Sequence, residues 1–285
     1  MRYMNALELK GLEKRYSDFC LGPLDLTLPG GTICGLIGEN GAGKSTTIRL
    51  ILDILQRDGG SIRVLGQENS AAPQRIKTEV GVVLEGGGLP GTMNPVQIGR
   101  MMADIYPNWD AAAYKDYCQR FGLPEKKAFG AFSKGMRMKQ CIAVALSHHP
   151  KLLLLDEATS GLDPVARDEL LDILLDFARD EDHSILISSH IVSDLEKLCD
   201  TIAFLHKGRL MLCENKDTLR DEYALWHGSA AEFAALDPAA VRGKRVTPYG
   251  AEALVRREDV PQGSSLTPVS IEELFVMMVK GEDLR

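Results

Sequence analysis

The chain has 285 residues, 45% hydrophobic and 26% charged, which suits a folded core of one or two domains. Its formal net charge of −7 argues against a nucleic-acid binder, because phosphate contacts demand a basic footprint. No apolar run approaches the roughly 18–20 residues of a transmembrane helix, and the opening MRYMNALELK lacks a signal-peptide core, so any membrane role is expected to act through a partner.

Residues 5–33 carry the period-two pattern LDLTL between glycines and prolines, which predicts an antiparallel β portion. Five nearly continuous apolar runs follow along the chain: TICGLIG, VGVVLE, KLLLLDE, HSILISSH and TIAFLH. Such runs suit strands covered on both faces, as in a parallel sheet. Helical patterns lie between them. TTIRLILDIL predicts a helix after the first run. Residues 90–147 carry three more, in NPVQIGRMMADIY, DAAAYKDYCQRFG and KGMRMKQCIAVALSHH, and read as a helical insertion. After SGLDP, residues Leu170, Leu174, Phe177 and Ala178 share one helical face, with Asp163 as N-cap and Pro164 at the first helical position. From residue 216 the pattern loosens into short strands (YALWHG, VRGKRVTPYG, AEALVRRED) and a final helix, SIEELFVMMVKG, with a capping box at Ser270 and Glu273. We therefore expect an α/β fold in residues 1–215, with a helical subdomain at about 87–147, and a small α+β accessory domain in 216–285.

Six cysteines, Cys20, Cys34, Cys118, Cys141, Cys199 and Cys213, form no CxxC pair and mostly sit among apolar residues. They read as reduced, buried thiols rather than a disulfide frame or zinc site.

The chemistry starts at GENGAGKST, residues 38–46, which fits GxxxxGK[ST] between an apolar strand and a helix. Glycines at Gly38, Gly41 and Gly43 let the loop curl, so that N–H groups from Glu39, Asn40, Ala42 and Thr46 can point at phosphate. Lys44 supplies a point charge for the β- and γ-phosphates, and the Ser45 hydroxyl suits Mg²⁺. Four leucines then lead into Asp156 and Glu157. Carboxylates at the end of a buried strand need compensation. A divalent cation at Asp156, with Glu157 taking a proton from the attacking water, meets that need.

The order of these segments over residues 5 to about 215 resembles the ATPase subunit of an ATP-binding-cassette (ABC) transporter. The diagnostic element is FSKGMRMKQ, residues 132–140, just upstream of KLLLLDE. The family more often shows LSGGQ; here Phe132, Lys134 and Met136 depart from it while Ser133 and Gly135 remain. The S-K-G-M form resembles ABC-2-type exporters. The resemblance implies a P-loop NTPase (RecA-like) parallel core, ATP and Mg²⁺ as ligands, and a head-to-tail homodimer. In that dimer Ser133 and Gly135 would complete the partner's ATP site, and Asp163 would lie at the interface as well as capping its helix. It further implies adenine stacking on Tyr16 and a γ-phosphate contact from His190. Where the family usually has Gln, this chain has Glu85, which as a carboxylate can still ligate Mg²⁺.

The implied activity is ATP hydrolysis driving export through a separate integral membrane subunit. That subunit would dock near the Glu85 loop and the helical subdomain, holding the ATPase peripherally on the cytoplasmic face. SKGM, YPNWD and the closing SIEELFVMMVKG resemble exporters of amphipathic or antimicrobial peptides, such as the phenol-soluble modulin exporters. The alternatives are a regulatory or immunity cassette that senses an antibiotic, and a soluble cassette of another class. Against the soluble class stand the single cassette and the acidic charge.

Overall fold

In the computed structural model, residues 4–70, 73–247 and 250–282 are described. In chain order the first unit contains β1 (Asn5–Arg15), β2 (Cys20–Pro29), β3 (Ile33–Ile37), α1 (Lys44–Ile51), β4 (Gly59–Val64), β5 (Gln67–Glu68), α2 (Pro73–Glu79) and β6 (Val80–Val83). It continues with α3 (Pro95–Ile105), α4 (Ala111–Arg120), α5 (Lys134–Leu146), β7 (Leu152–Asp156), α6 (Pro164–Phe177), β8 (Ser184–Ser189), α7 (Val192–Leu198), β9 (Thr201–His206) and β10 (Arg209–Asn215). The second holds α8 (Lys216–Glu222), β11 (Tyr223–Gly228), α9 (Ala230–Ala234), β12 (Val241–Thr247), β13 (Gly250–Arg256), β14 (Leu266–Thr267) and α10 (Ile271–Glu282). By contacts the chain divides into Met1–Cys213 and Glu214–Arg285.

The apolar runs become the central sheet of the first unit, ordered β10-β9-β3-β8-β7-β6. Its β9-β3, β3-β8, β8-β7 and β7-β6 pairs are parallel. Leu152 to Leu155 are each at most 1% exposed, because both faces of β7 are covered. Each such leucine contributes about 1.5–3 kcal/mol by leaving water. Register fixes what happens at the strand ends: Ile37 lies beside Ser189, and Asp156 beside Ser188. The carboxyl ends of β3, β7 and β8 therefore come side by side, and the residues that follow each of them meet.

The antiparallel portion is larger than the sequence suggests. A second sheet, β2-β1-β4-β5, takes strands from both sides of α1, with Leu7 opposite Val64 and Leu9 opposite Ile62. Strand β4 begins with two glycines, which hide it from a hydrophobic-pattern search. Helix α1 is shorter than its apolar run. Leu52 caps it, Asp53 adopts a left-handed φ of 55°, and Ile54 emerges 58% exposed.

Helices α3, α4 and α5 each start on a side-chain cap, which sequence reasoning missed at Asn94 and Asp110. Asn94 and Gln97 form a capping box before Pro95, Asp110 caps α4, and Ser133 caps α5 by accepting from the Met136 N–H at 3.2 Å. YPNWD is a joint. Tyr106 stacks on buried His148 at 4.1 Å, and Asn108 donates to the carbonyls of Thr78 and His148. Burial lowers the pKa of His148. Four cysteines are buried as expected, but Cys20 is exposed and Cys213 half-buried; none of the six is in a disulfide.

In the second unit the sheet runs β12-β13-β11-β14, with antiparallel pairing. Trp226 packs with Ala251, Ala253 and Val255 on it. The capping box at α10 is present: Ser270 Oγ accepts from Glu273 N at 3.2 Å, and Ser270 N donates to the Glu273 carboxylate at 3.1 Å.

Candidate functional site

The loop after β3 wraps a helix start. Gly43 caps α1 at φ 111°, and a Cβ there would stand 2.5 Å from Leu21 Cδ1, so only glycine fits. The Ala42 N–H donates to Glu39 O at 3.1 Å, closing the turn through Asn40 and Gly41. Lys44 is 5% exposed and donates to Gly38 O at 2.7 Å and Glu39 O at 3.3 Å.

Asp156, 1% exposed, accepts at one oxygen from the hydroxyls of Ser45 (3.0 Å) and Ser188 (2.7 Å). Glu157 is 8% exposed and held in the left-handed region at φ 52°, a conformation that costs a non-glycine residue roughly 1–3 kcal/mol. Its N–H donates to Ser188 O and Ser188 Oγ, both at 3.1 Å, which fixes the turn after β7. One carboxylate oxygen lies 2.7 Å from His190 Nδ1. A carboxylate only accepts, so His190 carries its proton on Nδ1 and turns Nε2 outward. The other oxygen, Oε1, lies 3.2 Å from Lys44 Nζ but outside hydrogen-bond alignment, and is buried without a hydrogen bond. The Lys44 cation compensates its charge, while its hydrogen-bonding capacity is left for a ligand or water.

These groups open onto one cleft of about 700 Å³, lined by Tyr16, Phe19, the 40–46 loop, Glu85, Glu157, Ser160 and His190. Tyr16 is 44% exposed, its ring 6.3 Å from Phe19 and 5.8 Å from the Lys14 ammonium. Glu85 is exposed at the rim. A groove of similar volume elsewhere is lined mostly by apolar side chains and carries no such cluster of charges.

Ser133, Gly135 and Asp163 do not line this cleft. Ser133 and Gly135 sit at the start of α5, and exposed Asp163 accepts from Val165 N (3.1 Å) and Ala166 N (3.0 Å) at the start of α6. The Ala166 N–H lowers its pKa most, against a smaller desolvation, with Val165 adding to the lowering. Sequence reasoning missed Ser188, Ser160 and Phe19. Only Ser188 left a trace, a pair of hydroxyls closing the buried run SILISSH.

The donor set suits a hard divalent cation. Ser45 Oγ and an Asp156 oxygen are both hard oxygens, and they are already within 3.0 Å of each other. No group of three or more acidic, histidine or cysteine side chains that could hold a metal occurs among the described residues.

The ABC transporter family model matches residues 21–160. The chain is 32% identical over 218 residues to the ABC transporter ATP-binding protein YtrB of Bacillus subtilis, covering 76% of this chain and 74% of YtrB. It is 34% identical over 203 residues to the bacitracin transport ATP-binding protein BcrA of Bacillus licheniformis, covering 70% of this chain and 66% of BcrA. A solved structure of the ATP-binding subunit of an ABC transporter superposes with a TM-score of 0.69 at 30% identity, over 75% of this chain and 92% of that one.

Proposed function

We propose the function from one premise: the chain belongs to the ABC transporter ATP-binding family. It is an ATPase, and it powers export by a membrane-spanning partner. No helix among the described residues is long and apolar enough to cross a membrane. The observation that carries the mechanism is the buried Glu157, whose Oε1 pairs with the Lys44 ammonium at 3.2 Å and makes no hydrogen bond, at the edge of the cleft.

In this reading the 38–46 loop and Lys44 hold the phosphates, and Tyr16 with Phe19 receives the adenine. Mg²⁺ fits at Ser45 and Asp156 and supplies charge neutralisation when bound. Ser188 orients Asp156 and the Glu157 turn together. Glu157 takes the proton of the attacking water, and His190 holds its carboxylate in place and offers Nε2 to the γ-phosphate. Two copies close head to tail, with Ser133 and Gly135 of one chain meeting the other's ATP. Each chain carries both half-sites, which supports a homodimer. The cargo we propose is an amphipathic peptide or drug, in keeping with the bacitracin transport function named for BcrA.

Glu85 is the departure that invites measurement. Replacing it by Gln removes a negative charge beside the phosphates. Repulsion at an exposed site is worth roughly 0.2–1 kcal/mol, so ATP should bind about 1.5- to 5-fold tighter. The Mg²⁺ concentration for half-maximal hydrolysis should rise, because a neutral amide oxygen attracts the cation less than a carboxylate does; a metal titration of both proteins checks this.

An apolar groove of about 690 Å³ between α1, β6 and the end of α3 supports docking of the partner. Ile54 and Ile105, 58% and 57% exposed, stand at its edge beside Tyr106. It would take a short amphipathic helix of the membrane subunit. Changing both isoleucines to Asp should abolish co-purification with the membrane subunit, while the melting temperature moves little, since exposed substitutions usually stay within about 0.5 kcal/mol. Co-purification that persists in the double variant would remove this groove from the interface.

The reading as a whole is tested by trapping the Glu157→Gln variant with ATP in its native host. A stoichiometric multi-span protein recovered from detergent extracts is the expected result. Recovery of the chain without one would overturn the transporter assignment.

A further inference from the structure

Lys134 has a placement that none of the roles above requires. It is the first residue of α5, where a cation opposes the positive end of the helix dipole. Its side chain folds back across the loop that follows Glu157. Its Nζ, Cδ and Cε lie 2.8, 2.9 and 3.1 Å from the point where a Cβ on Gly161 would stand. Gly161, at φ 71°, presents bare backbone to it. Beside this contact, Leu162 Cδ2 comes within 3.4 Å of the equivalent point on Gly135. The first turn of α5 and the 161–162 stretch are thus packed against each other.

Neighbouring cations have other partners: Lys139 donates to Glu169 at 2.7 Å, and Arg137 to Phe132 O at 3.2 Å. The loop under Lys134 is stiff and short. Ser160 N donates to Glu157 O at 3.1 Å, Leu162 N to Thr159 O at 3.4 Å, and Asp163 then caps α6. Ser160 itself lines the ATP cleft. A shift of Gly161 therefore reaches Glu157 through one residue.

We propose that Lys134 is a positioning residue. Its aliphatic stem braces the 157–163 loop on the start of α5, so that Glu157 in one chain responds when Ser133 of that chain engages the partner chain's ATP. The proposal rests on the head-to-tail dimer reading. Its consequence is that the two ATP sites are coupled through each chain's own α5, with Gly161 as the seat that only a residue lacking Cβ provides.

The test uses the full chain and four variants: Lys134→Gly, Lys134→Met, Gly161→Ala, and Lys134→Gly combined with Gly161→Ala. The wild type should hydrolyse ATP cooperatively, with a Hill coefficient rising toward about 2, the limit for two sites. Lys134→Gly should bring it to about 1 and lower kcat about tenfold with KM changed less than about twofold, the signature of lost positioning rather than lost binding. Lys134→Met keeps the stem and should keep the cooperativity. Gly161→Ala should resemble Lys134→Gly, and the double variant should be no worse than either alone, because both changes remove one contact.

Unchanged cooperativity and kcat in Lys134→Gly would overturn the proposal. So would a Lys134→Met variant as impaired as Lys134→Gly, which would assign the effect to the charge. ATP-driven dimerisation of the Glu157→Gln variant, followed by light scattering, separates the two layers. No dimer sinks the dimer reading itself; a dimer with a normal Lys134→Gly variant sinks only the brace.

Discussion

The Glu157→Gln variant should lose ATP hydrolysis by about 10²–10⁴-fold in kcat, the usual worth of a positioned general base, while still binding ATP. Gln preserves the shape of the side chain and can accept from His190 Nδ1, now 2.7 Å from the carboxylate. It cannot take a proton from water at neutral pH. The backbone strain at φ 52° is common to both residues, and the Ser188 contacts to the residue 157 N–H are independent of the side chain. Lys44 keeps its two carbonyl acceptors when the ion pair at 3.2 Å is lost. The turn should therefore hold its form and the loss should fall on chemistry. Single-turnover phosphate release against equilibrium ATP binding separates the two. A kcat within tenfold of wild type would move the base elsewhere, with His190 Nε2 the first place to look.

How much of this was legible in the sequence depends on whether the signal is local. The 38–46 loop was legible because strand, glycine turn and helix follow one another directly, so each residue type is constrained by its neighbours in the chain. Asp156 and Glu157 were legible because four leucines declare a buried strand, and acids at its end need a reason to be there. Ser188 was not, because its task depends on β8 lying beside β7 in a register that sets it opposite Asp156. A hydroxyl at the end of a strand carries no mark of which strand is its neighbour. The same holds for β4, whose pairing with β1 crosses the whole of α1, and for Ile54. As a sequence feature Ile54 extended the α1 pattern; in the fold it leaves the helix and lines the apolar groove. Helix caps, which depend on three or four consecutive residues, were read correctly at Asp163 and Ser270. The contact of Lys134 with Gly161 is the extreme case. Both residues stood in motifs that were singled out, yet nothing in either motif says that one lies on the other.

The Lys44→Ala variant should show the second large effect, and of a different kind, falling on ATP binding and on stability together. In the folded chain Lys44 Nζ is the buried donor for Gly38 O and Glu39 O and the cation 3.2 Å from Glu157. Hydrogen bonds from a charged donor are worth roughly 1.5–3 kcal/mol each. Losing such contacts to the phosphates should weaken ATP binding by about 10- to 100-fold or more. The loss should also destabilise the chain without ATP, because Glu157 then keeps only His190 as a partner while remaining buried, and removing one member of a buried ion pair costs more than removing both. A double variant, Lys44→Ala with Glu157→Gln, separates these effects. The stability loss of the pair should be smaller than the sum of the single losses, by about 0.5–3 kcal/mol if the two side chains are coupled. The ATP affinity should stay as poor as in Lys44→Ala alone, since neutralising Glu157 restores no donor to the phosphates. Additive stability losses would mean that the 3.2 Å approach carries no energy of its own, and that Lys44 is held in the loop by its two carbonyls alone.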